Sequence, residues 1–171
     1  MILIGLAGKK QAGKNEVARM FAEAMPSHRT IELAFANPLK DEVCKALGIT
    51  RGELDLHKSF YRGILQWWGT EYRRSQNINY WTDKFLATLM EVSKGPEPML
   101  VIVTDVRFES EYVLLKGLGA YLFRVTRPMP GDDRHTSETA IDHIRMAMID
   151  NSKDLEHLKE QVNKIVKRLK Q

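Results

Sequence analysis

The chain has 171 residues, 43% of them hydrophobic and 28% charged, which excludes a disordered tail or a fibrous repeat and predicts one domain spanning 1–171. Lys and Arg number 26 against 22 Asp and Glu, a net charge of +4. Residues 152–171 hold six of the basic and three of the acidic side chains, leaving 20 against 19 elsewhere, so net charge implies no long electropositive face for nucleic acid.

The first segment, Ile2-Leu3-Ile4-Gly5-Leu6-Ala7, is a continuous apolar run of the kind that forms a strand buried on both faces. It is too short to span a bilayer, as is every other apolar run, and it enters a glycine loop instead of a signal-peptide cleavage region. Neither membrane insertion nor secretion is expected. Beyond Gly13, the apolar positions Val17, Met20, Phe21 and Ala24 follow helical spacing as far as Pro26, giving the order strand, glycine loop, helix. A second strand is predicted over 30–35. Asn37 and Pro38 then read as the N-cap and first residue of a helix with Leu39, Val43 and Leu47 on one face and Gly48 at its end. That helix carries Cys44, the only cysteine. A disulfide framework and a cysteine zinc cage are thereby excluded, and a reducing, cytoplasmic compartment is expected. Residues 53–92 read as mostly helical, with Phe60, Ile64, Trp67 and Tyr72 in near-helical register and Phe85, Leu86 and Leu89 in a later helix.

After Gly95-Pro96, a buried strand is predicted over 99–103, closed by Asp105. A helix over 109–118 and a strand over 121–126 follow. Pro128, Pro130 and Gly131 mark a charged loop, and 146–149 is the last predicted strand. Asn151 or Ser152 is expected to cap a terminal helix whose Leu155, Leu158, Val162, Ile165, Val166 and Leu169 make an apolar stripe. Strands alternating with helices predict an α/β fold of three layers, a mainly parallel five-stranded sheet with helices on both faces.

The chemistry begins at Gly8-Lys9-Lys10-Gln11-Ala12-Gly13-Lys14, which matches a phosphate-binding loop. Its glycines let backbone N–H groups turn inward, and its lysine reaches the terminal phosphates. Asn15 stands where such loops usually carry the Ser or Thr that ligates Mg²⁺, so metal ligation here would fall to an amide carbonyl. Asp105, at the carboxyl end of a buried strand, belongs beside the ligand crevice of a parallel sheet, where it would hold Mg²⁺ through water or orient the acceptor; a helix cap is the structural alternative. Arg107 is placed to clamp a phosphate, or else to pair with Glu109 or Glu111. Between the second and third strands, the stretch from Arg62 to Arg74 mixes arginines, amides and tryptophans. Trp67 and Trp68 suit core packing, while Arg62 and Arg74 are candidates for a second phosphorylated ligand that Lys14 alone would not hold. Arg124, Arg127, Arg134 and His135 lie in or beside the proline-marked loop, and residues of about 127–138 suit a lid that delivers charge during phosphoryl transfer. The remaining histidines show no metal-ligand spacing.

Together these stretches resemble the bacteriophage deoxynucleoside monophosphate kinases, relatives of the nucleoside monophosphate kinase group of P-loop proteins. The resemblance is carried by Gly5-Leu6-Ala7-Gly8-Lys9-Lys10 with Gly13-Lys14, by Phe35-Ala36-Asn37-Pro38-Leu39-Lys40, and by Arg62, Leu65-Gln66, Gly69-Thr70-Glu71 and Arg74. Trp81, Thr104-Asp105-Val106-Arg107-Phe108-Glu109 and His135-Thr136-Ser137-Glu138 complete it. It implies a P-loop kinase fold in which residues of about 48–95 form a helical acceptor-binding insertion. It also implies transfer of the ATP γ-phosphoryl group to a deoxynucleoside monophosphate, with Mg²⁺, for DNA precursor synthesis in the cytoplasm, that of the host if the gene is a phage's. The implied donor-binding residues are Gly8, Lys9, Gln11, Ala12, Gly13, Lys14, Asn15 and Glu16, with Lys14, Asp105, Arg107 and Arg127 catalytic and with Asn15 and Asp105 at the metal. The implied acceptor residues are Lys40, Arg62, Gln66, Thr70, Arg74, Trp81, Arg107, Arg134 and Glu138. Partners are small-molecule nucleotides, neither nucleic acid nor membrane, and a homodimer is compatible with the resemblance. Where the family commonly has Asp-Thr after the loop lysine, this chain has Asn15-Glu16. Two other readings stay open: a dephospho-coenzyme A kinase-like enzyme, and a non-catalytic P-loop nucleotide-binding protein.

Overall fold

The computed structural model describes residues 1–128 and 139–169, so the expectations for Pro130, Gly131, Arg134, His135, Ser137 and Glu138 lie outside the described residues. By its internal contacts the chain divides into a unit of Met1–Leu33 with Ser93–Gln171 and a second unit, Ala34–Val92.

The first unit is built on five strands: β1 (Ile2–Ala7), β2 (Arg29–Leu33), β3 (Met99–Val106), β4 (Tyr121–Thr126) and β5 (Ala147–Asp150). Their order is β2-β3-β1-β4-β5, and every pairing is parallel. β3, β1 and β4 each have partners on both edges, and the long apolar runs lie on β1 and β3, since a strand covered on both faces has no polar side to present. One face carries Ile4, Leu6, Leu100, Ile102, Phe123, Val125 and Ile149 against Val17, Ala18 and Phe21 of α1 (Lys14–Ala24), and against Leu158, Val162 and Val166 of the terminal helix α7 (Leu155–Leu169). On the other face, α6 (Glu109–Gly117) brings its buried Leu115 over Gly5. This is the layered architecture that the alternation of strands and helices predicts.

Several boundaries differ from expectation. β2 starts one residue earlier than predicted and ends at Leu33, short of Phe35, and β5 is shifted by one residue to Ala147–Asp150. β3 runs on through Thr104 and Asp105 to Val106, because it keeps pairing with β1 across an irregularity between Gly5 and Ala7; the polar residues that look like a terminator lie inside the strand. Asn151 and Ser152 do not cap α7. The carboxylate of Asp154 does so, accepting from the His157 N–H at 2.8 Å.

The second unit is helical: α2 (Ala36–Leu47), α3 (Arg51–Leu56), α4 (Lys58–Gln66), a π-helical segment (Trp67–Arg74) and α5 (Tyr80–Val92). Asn37 is not the N-cap of α2. Helix begins at Ala36 behind Phe35, with no side chain capping it, and Gly48 ends it in a left-handed conformation. Pro38 is the third helical residue, where its missing N–H has no intrahelical acceptor anyway. Val43, Cys44 and Leu54 form the buried centre, with Leu39, Tyr61, Ile64, Leu65 and Trp68 packed around it. No helix among the described residues is long and apolar enough to cross a membrane.

Candidate functional site

The loop between β1 and α1 reverses its backbone three times in six residues: Gly8 has φ 138°, Gln11 φ 63° and Gly13 φ 96°. A Cβ on Gly8 would lie 2.4 Å from the Val125 carbonyl oxygen, and one on Gly13 would lie 2.2 Å from Nδ2 of Asn151; only glycine fits at either place. Gln11 is the sole non-glycine residue with positive φ among the described residues, a strained position of the sort that gathers at ligand loops. Gly13 opens α1 with no side-chain cap, so no side chain of the N-cap competes with an anion for the positive end of the helix dipole. Lys14 crosses back along the loop, its ammonium donating to the carbonyls of Gly8 at 2.7 Å and Lys9 at 2.8 Å. An inward-turned backbone with a lysine laid across it is a phosphate cradle already formed.

The other expected donor-side residues differ in their surroundings. Lys9 forms an ion pair with Asp142 at 2.7 Å, and Asp142 in turn lies 3.4 Å from Arg124. Arg124 also donates to the carbonyls of Ile141 and Ile144, so it anchors the segment after residue 138. Ala12 is buried. Asn15 is exposed in the first turn of α1, whereas Glu16 pairs with Arg19, whose hydrogen bond holds the Glu16 carboxyl below its ordinary range.

Asp105 is half-buried near the end of β3, opposite the irregular stretch of β1 that leads into the loop. The turn that follows is tied by Glu111, 2% exposed, whose carboxylate accepts from the N–H groups of Arg107 at 2.7 Å and Phe108 at 3.0 Å. Arg107 is half-buried and Arg127 exposed just past β4.

Within the helical unit, Arg62, Gln66, Thr70 and Arg74 recur every four residues. On an α-helix such a row drifts forward around the axis, since four residues exceed one 3.6-residue turn. The wider π-turn over Trp67–Arg74 reverses that drift, which keeps the four on one side. Arg62, Gln66 and Thr70 are half-buried and Arg74 is 8% exposed. π-turns are rare and need support, and here Glu42 of α2 supplies it. Its carboxylate accepts from Trp68 Nε1 at 3.1 Å, Arg73 Nε at 3.0 Å and the Tyr80 hydroxyl, with Lys84 Nζ at 3.5 Å. Burial would push the Glu42 carboxyl up, but these donors outweigh it and hold it below its ordinary value of 4.5. The Tyr80 phenol is pushed up by burial and by the bond to Glu42. Arg73 also lies over the rings of Tyr72 and Tyr80.

Two expected acceptor residues have structural engagements of their own. Trp81 is 2% exposed and its indole N–H donates to the Gly69 carbonyl at 2.9 Å, which fastens the π-segment. Lys40 is bound to Asp55 at 2.5 Å, and that hydrogen bond holds the Asp55 carboxyl low. Sequence reasoning missed Glu42 and Asp142 and gave Asn151 a different task. Of the three, only Asn151 carried a signal, its place at the carboxyl end of a parallel strand, where ligand sites collect.

No family model matches the sequence. A protein of Acanthamoeba polyphaga mimivirus named "Putative deoxynucleotide monophosphate kinase" is 30% identical over 186 residues, covering 95% of this chain and 94% of the viral protein. Among solved structures, TT1252 from Thermus thermophilus superposes with a TM-score of 0.51 at 16% identity, over 98% of this chain and 97% of its own. A gluconokinase from Sinorhizobium meliloti 1021 does so with a TM-score of 0.50 at 15% identity, over 98% and 93%. At those identities the structural likeness speaks for the fold, that of the P-loop kinases, and the viral relative speaks for the family.

Proposed function

We propose, for a chain that belongs to the deoxynucleotide monophosphate kinase family and is a P-loop kinase with ATP as its phosphoryl donor, that the acceptor is a deoxynucleoside monophosphate and the product its diphosphate. The observations that support this reading are a formed phosphate cradle at residues 8–14 and, in the helical unit considered by itself, a set of side chains whose chemistry suits a phosphorylated acceptor, Arg62, Gln66, Thr70 and Arg74, aligned by the π-segment. A kinase that moves a phosphoryl group between two phosphorylated molecules needs both sets, because each ligand brings its own negative charge.

In this reading the loop N–H groups and Lys14 hold the donor's terminal phosphates and stabilise the charge that shifts between oxygens as the bond breaks. Arg107 and Arg127 add positive charge at the transferring group, and Arg74 and Arg62 grip the acceptor's phosphate while Gln66 and Thr70 offer hydrogen bonds to the rest of the nucleotide. Arg134 and Glu138 are proposed to join the acceptor site. Mg²⁺ suits the donor set present, a neutral amide oxygen on Asn15 and a carboxylate on Asp105, both hard oxygen ligands. Asn15 would hold it directly and Asp105 through water, and when bound it supplies neutralisation of the donor phosphates. Such an enzyme would serve DNA precursor synthesis in the cytoplasm.

A coupled assay of ATP with each common nucleoside and deoxynucleoside monophosphate, and with dephospho-coenzyme A, tests the proposal. Turnover of one or more deoxynucleoside monophosphates supports it. Activity confined to dephospho-coenzyme A refutes it.

A further inference from the structure

Asn151 follows β5 directly and is 8% exposed, and its side chain reaches across to the phosphate loop. Its Nδ2 donates to the carbonyl of Ala12 at 2.8 Å, a buried bond, since Ala12 is itself 1% exposed. A peptide group is planar and trans, so its carbonyl and its N–H point in opposite directions, and no cis bond occurs among the described residues. Fixing the Ala12 carbonyl toward Asn151 therefore turns the Gly13 N–H away from Asn151. The alternative orientation of the same peptide would present a carbonyl dipole to an anion.

Asn151 is in turn well held. Its own N–H donates to the Thr126 carbonyl at 2.8 Å. The preceding residue, Asp150, is clamped to α7 on both sides of its backbone, its N–H donating to Oε1 of Gln161 at 3.0 Å and its carbonyl accepting from Nε2 of Gln161 at 2.8 Å. The close approach of Asn151 also accounts for Gly13, where a Cβ would sit 2.2 Å from Nδ2.

We propose that Asn151 is a positioning residue of the donor site: its carboxamide sets the Ala12–Gly13 peptide so that the Gly13 N–H is aimed at the donor's phosphates before ATP arrives. The inference rests on the reading of residues 8–14 as the donor loop. A preset donor needs no reorganisation when the anion binds, which is why removing its support weakens binding and transfer beyond the loss of one hydrogen bond.

The test uses the full chain with Asn151→Asp, which keeps the shape but replaces the N–H donor with an acceptor, and Asn151→Ala, which removes the group and keeps the test alive should the first fail to fold. ADP affinity is measured by calorimetry and monophosphate affinity by titration, and the Gly13 amide resonance is followed in protein labelled with ¹⁵N-glycine. The proposal expects ADP affinity to fall about tenfold or more, monophosphate affinity to stay within about twofold, and the ADP-induced shift of the Gly13 amide to shrink. ADP affinity near wild type in the folded variants overturns it, as does an unchanged Gly13 shift or an equal loss for both ligands. Lys14→Ala separates the two layers: if it too leaves ADP affinity intact, the donor-loop reading fails, whereas if only the Asn151 variants are silent, the positioning role alone fails.

Discussion

Replacing Glu42 should loosen the π-segment and, through it, the acceptor residues. The carboxylate is 19% exposed and Arg73 27%, so the bonds are partly shielded from water. In Glu42→Ala, Trp68 and Tyr80 lose their acceptor and Arg73 loses its counter-charge; at about 1 kcal/mol each, the variant should lose roughly 3 kcal/mol. For a chain of this length that corresponds to a fall of roughly 6–12 °C in the unfolding midpoint. Glu42→Gln should lose only about 1 kcal/mol, because the amide oxygen still serves Trp68 and Arg73 while the tyrosine hydroxyl can reverse and accept from the new amide N–H. The effect should depend on pH in a definite direction. Because the folded carboxyl titrates below its ordinary 4.5, its stabilisation is complete at neutral pH and is lost as the pH falls through the lowered value. The differences in thermal stability between wild type and both variants should therefore narrow as the pH is lowered from neutrality through that value. In steady-state kinetics at pH 7.5, Glu42→Ala should raise the monophosphate KM well above wild type with little change in the ATP KM. A Glu42→Ala protein that melts within 2 °C of wild type and keeps its monophosphate KM would refute the reasoning.

Arg74→Ala should raise the monophosphate KM by about tenfold or more while the ATP KM stays nearly constant; Arg74→Lys serves as the folding control for this buried position, and an equal rise for both substrates would remove Arg74 from the acceptor site. Asn15→Thr should keep Mg²⁺-dependent activity and lower the Mg²⁺ needed, whereas Asp105→Asn should cut transfer roughly tenfold or more, both read by Mg²⁺ titration at saturating ATP. A dead Thr variant beside a normal Asp105→Asn would overturn the metal assignment. Gly13→Ala, whose new Cβ would collide with Asn151 at a φ of 96°, should weaken ADP by about tenfold or more, measured by calorimetry.

What could be read from the sequence was local. The run Ile2–Ala7, the two loop glycines and the helical spacing of Val17, Met20 and Phe21 are all written within some twenty residues, and the strand, loop and helix follow them closely. Gly48 and the stripe on α7 were legible for the same reason. Asn37 misled because the cap is decided by where the backbone enters the helix, and it does so two residues earlier, behind Phe35. β3 outran its apolar run because pairing with β1 carries polar Thr104 and Asp105 along. The least legible features join distant residues. Asn151 meets Ala12 across 139 positions, and Glu42 gathers donors from three places in the chain. The π-turn has the same composition as an α-helix, and only the partners of Glu42, Gly69 and Trp81 distinguish it. The contacts of Trp81 with Gly69 and of Lys40 with Asp55 are likewise invisible in the sequence, where the resemblance implies only that both residues belong to the acceptor site.

The most direct test of phosphoryl transfer between nucleotides is a single-turnover experiment with γ-labelled ATP and a mixture of deoxynucleoside monophosphates, run on wild type and on Lys14→Ala verified as folded by circular dichroism. Label should appear in a deoxynucleoside diphosphate with the wild type, and the rate should fall on the order of 10²-fold or more in the variant, which lacks the ammonium facing the terminal phosphates. Bound ATP with no labelled diphosphate from any monophosphate, or a Lys14→Ala rate equal to wild type, would contradict the account.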